Sequence, residues 1–234
     1  MTTTNRRSLP VSLTILIVAA VAIAVVWLLR PDSGSVSQLE QAPLPWKITT
    51  FEDGTSEVFR LHLGEVTVAQ LLQQLGEDHE LAIISDDNDH SGLEIFYTSF
   101  SAGPIKGKLI ARVDAAQETL ETMQANAASS SYIDTGSRKF LLNASDLQRI
   151  QEWTIAGLGF VPTANLSDEV IVARFGEPAR KVATADAVHY FYPEKGVHIA
   201  RSDEAKELVQ YVAPRDFARL ELPHTDSGDS THPE

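Results

Sequence analysis

The longest uninterrupted apolar stretch in the chain runs from Leu9 to Leu29 and contains no charged side chain. At about 1.5 Å per residue, such a run is long enough to cross the ~30 Å hydrocarbon layer of a bilayer as a single helix. Ala22-Ile23-Ala24 fits the small-x-small rule for signal-peptide cleavage. The apolar run nevertheless continues through Trp27, Leu28 and Leu29, which predicts a retained signal anchor over 9–30. Arg6 and Arg7 precede the span, and only Arg30 follows it closely. The excess positive charge places residues 1–8 in the cytoplasm and the C-terminal bulk outside it, in the periplasm of a Gram-negative cell. The expected location is therefore the inner membrane, in single-pass topology.

Beyond the span the pattern changes. Residues 31–45 are rich in Ser, Pro and Gly and read as a flexible tether, with globular structure predicted from Trp46. Residues 46–51 and 56–61 read as paired strands around Glu52-Asp53-Gly54, because Asp-Gly is a hairpin signal. Val68, Leu71, Leu72 and Leu75 share one helical face, with Thr67 as N-cap and Gly76 as a left-handed terminator. Strands are predicted at about 80–85, 93–100 and 105–113, and a helix over 114–127 in which Ala116, Leu120, Met123 and Ala127 align. Residues 126–137 read as a soft connection. A short strand at 138–142, a helix at about 145–151 and a strand at about 153–161 follow. Strands near 190–192, 196–201 and 207–212 and a short helix from Pro214 to about Leu220 complete the pattern. The acidic tail over 223–234 is predicted to be disordered.

The stretch from Leu166 to Pro178 repeats the first helix at an offset of a hundred residues. Thr67 matches Ser167, Leu71 matches Ile171, Leu72 matches Val172, Leu75 matches Phe175, Gly76 matches Gly176 and Glu77 matches Glu177. Asp168 stands opposite Val68 and breaks the pattern. An aromatic strand follows each copy, Ile95-Phe96-Tyr97 in one and Tyr190-Phe191-Tyr192 in the other. The expected fold class is α+β, with an N-terminal transmembrane helix followed by two related helix-plus-antiparallel-sheet units, 46–137 and 138–222.

The unit from Leu63 to Gly76, and the passage from Phe175-Gly176-Glu177-Pro178 to Tyr190-Phe191-Tyr192-Pro193, resemble BamE/SmpA-like envelope modules. The whole chain resembles uncharacterised single-span membrane proteins of gammaproteobacteria. The resemblance implies helices packed on an antiparallel sheet and a role in binding other envelope proteins. Those modules are typically lipoproteins, whereas this chain has no cysteine to accept a lipid.

Composition narrows the partners. The net charge is −13 over 234 residues, and the first 30 residues contribute three Arg and no acid, leaving −16 on the remainder. No basic footprint for nucleic acid is present, so none is expected as a partner. The absence of cysteine excludes disulfides, thiol nucleophiles and thiolate-bound metals. Stability must come from packing, and an acidic surface of this kind is expected to hold or gain stability as salt screens it.

Candidate chemistry is sparse. Asp87-x-Asp89-x-Ser91-Gly92 matches the opening of an EF-hand loop, but Thr98 occupies the twelfth place, where a Glu is needed, so a polar hairpin loop is expected. Histidines 62, 79, 90, 189, 198, 224 and 232 show no zinc-helix spacing. His189 and Phe191 should share one strand face, with Tyr190 and Tyr192 on the other, and His189 is expected to be half-buried. Ser129 to Ser131 fall in the soft connection without a nucleophile motif. Gly157-Leu158-Gly159 lacks the third glycine of a phosphate loop. Asp168-Glu169 suits the first turn of a helix. Trp46, Tyr97, Trp153, Tyr190, Tyr192 and Tyr211 are expected in the core rather than on a binding face.

No catalytic, cofactor-binding or metal residue is assigned from the sequence, and no cofactor is expected. The sequence points to a non-catalytic protein-binding or envelope accessory module, held in the membrane by residues 9–30, with an envelope protein as partner. The alternatives are a periplasmic enzyme with a site assembled from scattered residues, or a small-ligand sensor.

Overall fold

The structure, a computed structural model, describes residues 43–85, 90–133, 137–202 and 205–220. The anchor over 9–30, most of the tether, Asp87 and Asp89, His224 and His232, and the acidic tail lie outside the described residues. Among the described residues, no helix is long and apolar enough to cross a membrane.

The fold is α+β. Strands β4 (Glu80–Ser85), β5 (Ser91–Ala102), β6 (Ile105–Val113), β7 (Ser129–Tyr132), β8 (Arg138–Leu141), β9 (Ile155–Pro162), β10 (Arg180–Ala183), β11 (Val188–Tyr192), β12 (Val197–Arg201) and β13 (Leu208–Tyr211) form one ten-stranded sheet. Its order is β10-β11-β12-β13-β9-β6-β5-β4-β8-β7, and each described pairing is antiparallel. A smaller sheet joins β1 (Thr49–Thr50), β2 (Ser56–Val58) and β3 (Leu61–Leu63). The α-helices are α1 (Val68–Leu75), α2 (Gln117–Ala125), α3 (Ala144–Arg149) and α4 (Asp168–Phe175).

Alternation along the strands decides which face is buried. Leu93, Ile95, Tyr97, Leu109, Ala111, Leu158, Phe160, Tyr190, Tyr192, Val197, Ile199, Val209 and Tyr211 line one face and join a single apolar cluster with Leu71 of α1, Leu120 of α2 and Ile171 of α4. Side chains from both predicted units therefore share one core. The start of α1 is also fastened to β9: Val68 N–H donates to Trp153 O and Ile155 N–H to Val66 O, both at 2.9 Å.

Both capped helices form where the pattern places them. Thr67 and Gln70 exchange side-chain-to-backbone bonds in a capping box, and the Ser167 hydroxyl accepts from Val170 N–H. Gly76 and Gly176 end the helices with φ of 89° and 87°, and each N–H returns to the carbonyl four residues back. Their ψ values lie near 180° rather than in the left-handed helical well, a conformation open essentially to glycine alone.

Several elements differ from expectation. Trp46 lies in a turn, and only Thr49–Thr50 of the first predicted strand is paired. Pro45, assigned to the tether, is buried, and its carbonyl accepts from the Tyr211 hydroxyl at 3.0 Å. The run 56–61 is broken by a two-residue hairpin in which Phe59 and Arg60 have φ of 54° and 63°. Such a turn is normally signalled by Asn-Gly. Here Phe59 instead sends its ring into the core against Phe100, Phe160 and Tyr211. Residues 129–132, read as a soft connection, form β7 against β8. β8, expected in the second unit, pairs with β4 of the first. Strand β10 was not predicted; it pairs with β11.

Tyr97, Tyr190, Tyr192 and Tyr211 are buried, while Trp46 and Trp153 are half-buried against the core. Trp46 meets the Phe175 edge and lies under the Arg174 guanidinium.

Candidate functional site

The face of the large sheet opposite the core carries the polar chemistry. Strand registers align Arg180, Phe191, His198, Gln210, Gly159, Ile110, Phe96 and Glu80 in one row across eight strands. At one end Phe191 packs with Val212 and Phe217 beneath the 3-10 segment Pro214–Leu220. At the other, Glu80 pairs with Lys139 of β8. In the middle Gly159 leaves the surface of β9 open while Gly157 lies close against Tyr211 O and Val212, and a cavity of about 460 Å³ opens beside them between Ile110, Arg112, Leu208 and Gln210. The Gly-Leu-Gly run is thus the floor of a groove. Glu94 sits at its margin, directly across from Arg112. Burial raises the Glu94 pKa, and the Arg112 charge draws it partly back.

On the same face, His198 of this row is coupled to His189 two residues before Phe191 on β11. His189 Nδ1 lies 2.9 Å from His198 Nε2, and His198 Nδ1 lies 2.8 Å from Gln210 Oε1. An amide oxygen only accepts, so His198 donates from Nδ1 and accepts on Nε2, and His189 donates to it. The imidazole planes differ by 8°, and the Phe191 ring stacks on His198 at 4.7 Å. Desolvation lowers both histidine pKa values; at His198 the Gln210 bond opposes it, and the charges of His189 and Arg180 add to it. His198 is buried and His189 half-buried, so these are packed, neutral rings rather than an exposed base.

A second group was missed by the sequence reading. Asp53 Oδ1 accepts from the Thr55 N–H at 3.0 Å and the Thr55 hydroxyl at 2.7 Å. His62 Nε2 lies 2.8 Å from Thr55 Oγ1 and 3.8 Å from Glu65 Oε2, with Phe51 stacked on its ring. The Thr55 bonds, aided by Arg215 and His62, lower the Asp53 pKa. Ligand atoms of Asp53, His62 and Glu65 lie within 4.8 Å of one another, so among the described residues these three side chains are placed to share a cation. Thr55 is not poised as a nucleophile, because its proton is held by Asp53 and its oxygen faces a histidine donor. His62-x-x-Glu65 was the only linear hint; the turn at Asp53 supplies the rest.

The remaining sequence candidates resolve simply. Ser91 accepts from Gln124 Nε2 at 2.7 Å, a structural bond to α2. Asp168 pairs with Lys181 and Arg201, each at 2.8 Å. The Lys181 bond, with Tyr190 and Arg201 adding to it, holds the Asp168 pKa down at about 2. Ser129 to Ser131 lie exposed in β7.

The two ends of the sheet contrast. β10 carries Arg180 and Lys181, which blunt an edge. β7 reads Ser-Ser-Ser-Tyr, uncharged and wholly exposed, with Tyr132 75% exposed. Ile133 N–H donates to Ser137 O at 3.0 Å. The alternation of an antiparallel ladder then turns the backbone groups of Ser130 and Tyr132 away from β8. Arg138 lies over the Tyr132 and Phe140 rings.

Comparison of the chain with protein-family models, with curated proteins and with solved structures finds no match.

Proposed function

We propose that this chain is an inner-membrane-anchored, extracytoplasmic protein-binding module without catalytic activity of its own, held by residues 9–30 and extended from the bilayer by the segment that follows. The observation that supports the binding reading is the β7 edge. A row of backbone donors and acceptors on a strand with no charged residue of its own, at the end of the ten-stranded sheet, suits addition of an extended segment from a partner. Arg138 and the exposed Tyr132 ring beside it favour a segment bearing acidic or aromatic side chains. The partner is read as another envelope protein.

The two halves are read as related units of the BamE/SmpA-like kind. In each, a capped eight-residue helix ends at a glycine of positive φ, and a tyrosine from a later strand bonds that glycine's carbonyl.

A photo-crosslinking residue placed at Ser130 in the full-length protein, in cells, tests the binding reading, with the same probe at Lys181 of β10 as control. Adducts to one envelope protein from Ser130 alone support it. Equal adducts from both edges, or none from β7, overturn it.

A further inference from the structure

The groove beside Gly159 holds two opposite charges that do not neutralise each other by contact. Glu94 of β5 and Arg112 of β6 stand directly across from one another in the ladder, and both line the cavity of about 460 Å³. Its volume is in the range of small-molecule sites. No ion pair joins the two, and among the described residues neither side chain has a hydrogen-bond partner. Arg112 is exposed, and its guanidinium rests over Gly92. Glu94 is half-buried, and both its carboxylate oxygens keep contact with solvent, so a ligand can reach them. The carboxylate is thus partly stripped of water with no donor in its place, a costly state for an anion.

Beside this pair the floor is bare backbone. A Cβ at Gly159 would meet only Leu208 Cδ1 at 3.4 Å and Ile110 Cβ at 3.9 Å, both ordinary contacts, so the space above it is open. Ile110 and Leu208, each half-buried, wall that space with apolar surface. Arg219, at the rim, is held by Asp114 at 3.6 Å and Asp216 at 3.8 Å, so the cation open to a ligand here is Arg112. A lone anion is opposed by Glu94 and a lone cation by Arg112, whereas a molecule carrying both charges close together suits both. Glu94 and Gly159 lie two strands and two residues apart, about 12 Å between Cα atoms at ordinary sheet spacings. The Glu94 side chain covers part of that length, and an ammonium joined to an aromatic ring by a short linker covers the rest.

We propose that this groove binds an aromatic α-amino acid, with its ammonium on the Glu94 carboxylate, its carboxylate on the Arg112 guanidinium and its ring on the Gly159 backbone between Ile110 and Leu208. The two charged groups of such a ligand share one carbon, as Glu94 and Arg112 share one position of the ladder. Glycine within a strand is what close approach of a ring to the backbone requires. The proposal does not rest on the β7 edge: it concerns the middle of the sheet and a small molecule rather than a protein.

Calorimetric titration of the full chain in detergent with L-phenylalanine tests it, beside N-acetyl-L-phenylalanine, which lacks the ammonium, and phenethylamine, which lacks the carboxylate. L-phenylalanine is expected to bind at least about tenfold more tightly than either analogue, and Glu94→Gln to weaken it by about tenfold or more. Gly159→Leu fills the floor at a position whose φ is not positive, and should weaken binding at least as much. The analogue comparison needs no variant and stands even if either variant folds poorly. Equal binding of L-phenylalanine and N-acetyl-L-phenylalanine, an unchanged affinity in folded Glu94→Gln or Gly159→Leu, or no binding up to ~10 mM overturns the proposal.

Discussion

The Tyr192 hydroxyl donates to the Gly176 carbonyl at 3.0 Å, closing the end of α4 from a strand sixteen residues further on. Tyr97 does the same for Gly76 at the end of α1, at 3.1 Å. Each bond satisfies a carbonyl that helix geometry leaves without a partner. Tyr97→Phe and Tyr192→Phe should each cost about 1 kcal/mol, because the carbonyl loses its donor while the ring packing is kept. Urea unfolding of the single variants checks this.

The same burial pushes both phenols up to about 12. Their folded values lie above the ordinary value near 10, so this contribution to stability is intact below about pH 10 and is lost between about pH 10 and 12. Phenolate absorbance during an alkaline titration should show both tyrosines ionising late, together with unfolding. Early ionisation of either would contradict their placement.

Phe59 holds a left-handed backbone conformation while its ring contacts three aromatic neighbours. The backbone cost is ~1–3 kcal/mol, and the packing of a buried ring is worth ~3–5 kcal/mol, so packing wins. Phe59→Asn, which suits the turn better, should therefore still destabilise the protein by more than ~1 kcal/mol in denaturant unfolding. A neutral or stabilising result would mean that the turn, not the ring, governs this site.

His198 has a pKa below the ordinary value near 6.5, chiefly through desolvation. The groups facing it are His189, Gln210, Phe191 and, through its charge, Arg180. The folded state resists protonation, so stability is present above about pH 6.5 and falls as the pH drops through the depressed folded value. The urea midpoint should fall between about pH 7.5 and 5, and the fall should shrink in His198→Phe even if that variant is less stable throughout.

The outward-facing N–H of Ser130 is the element that a strand-adding partner would use. Ser130→Pro removes that donor and leaves the β8 side of β7 intact, so partner capture should be lost while the unfolding midpoint moves little. Retained capture would place the contact elsewhere.

Helices α1 and α4 were legible because cap, apolar period and terminating glycine coincide within ten residues. The β2–β3 hairpin was not, because Phe-Arg has no turn propensity and holds its conformation only through the tertiary contacts of the Phe59 ring. β7 was hidden for a related reason: a serine run has no hydrophobic period, and its strand state comes from pairing with β8. Glu207 is an ordinary surface acid by sequence; only the packing of Leu166, forty-one residues away, makes it a buried one. The Asp53–His62–Glu65 group likewise depends on a turn and a hairpin meeting.

The bond from Tyr211 to Pro45 joins residues 166 positions apart. Nearly the entire described body lies inside that loop, and β13 is also the strand that connects β12 to β9. The sheet cannot close until the last strand has left the ribosome. A fold closed by so distant a contact should complete its core slowly, as one cooperative event, after synthesis. On the proposed route through the membrane, that delay keeps the polypeptide in an unfolded, export-competent state until all of it has crossed.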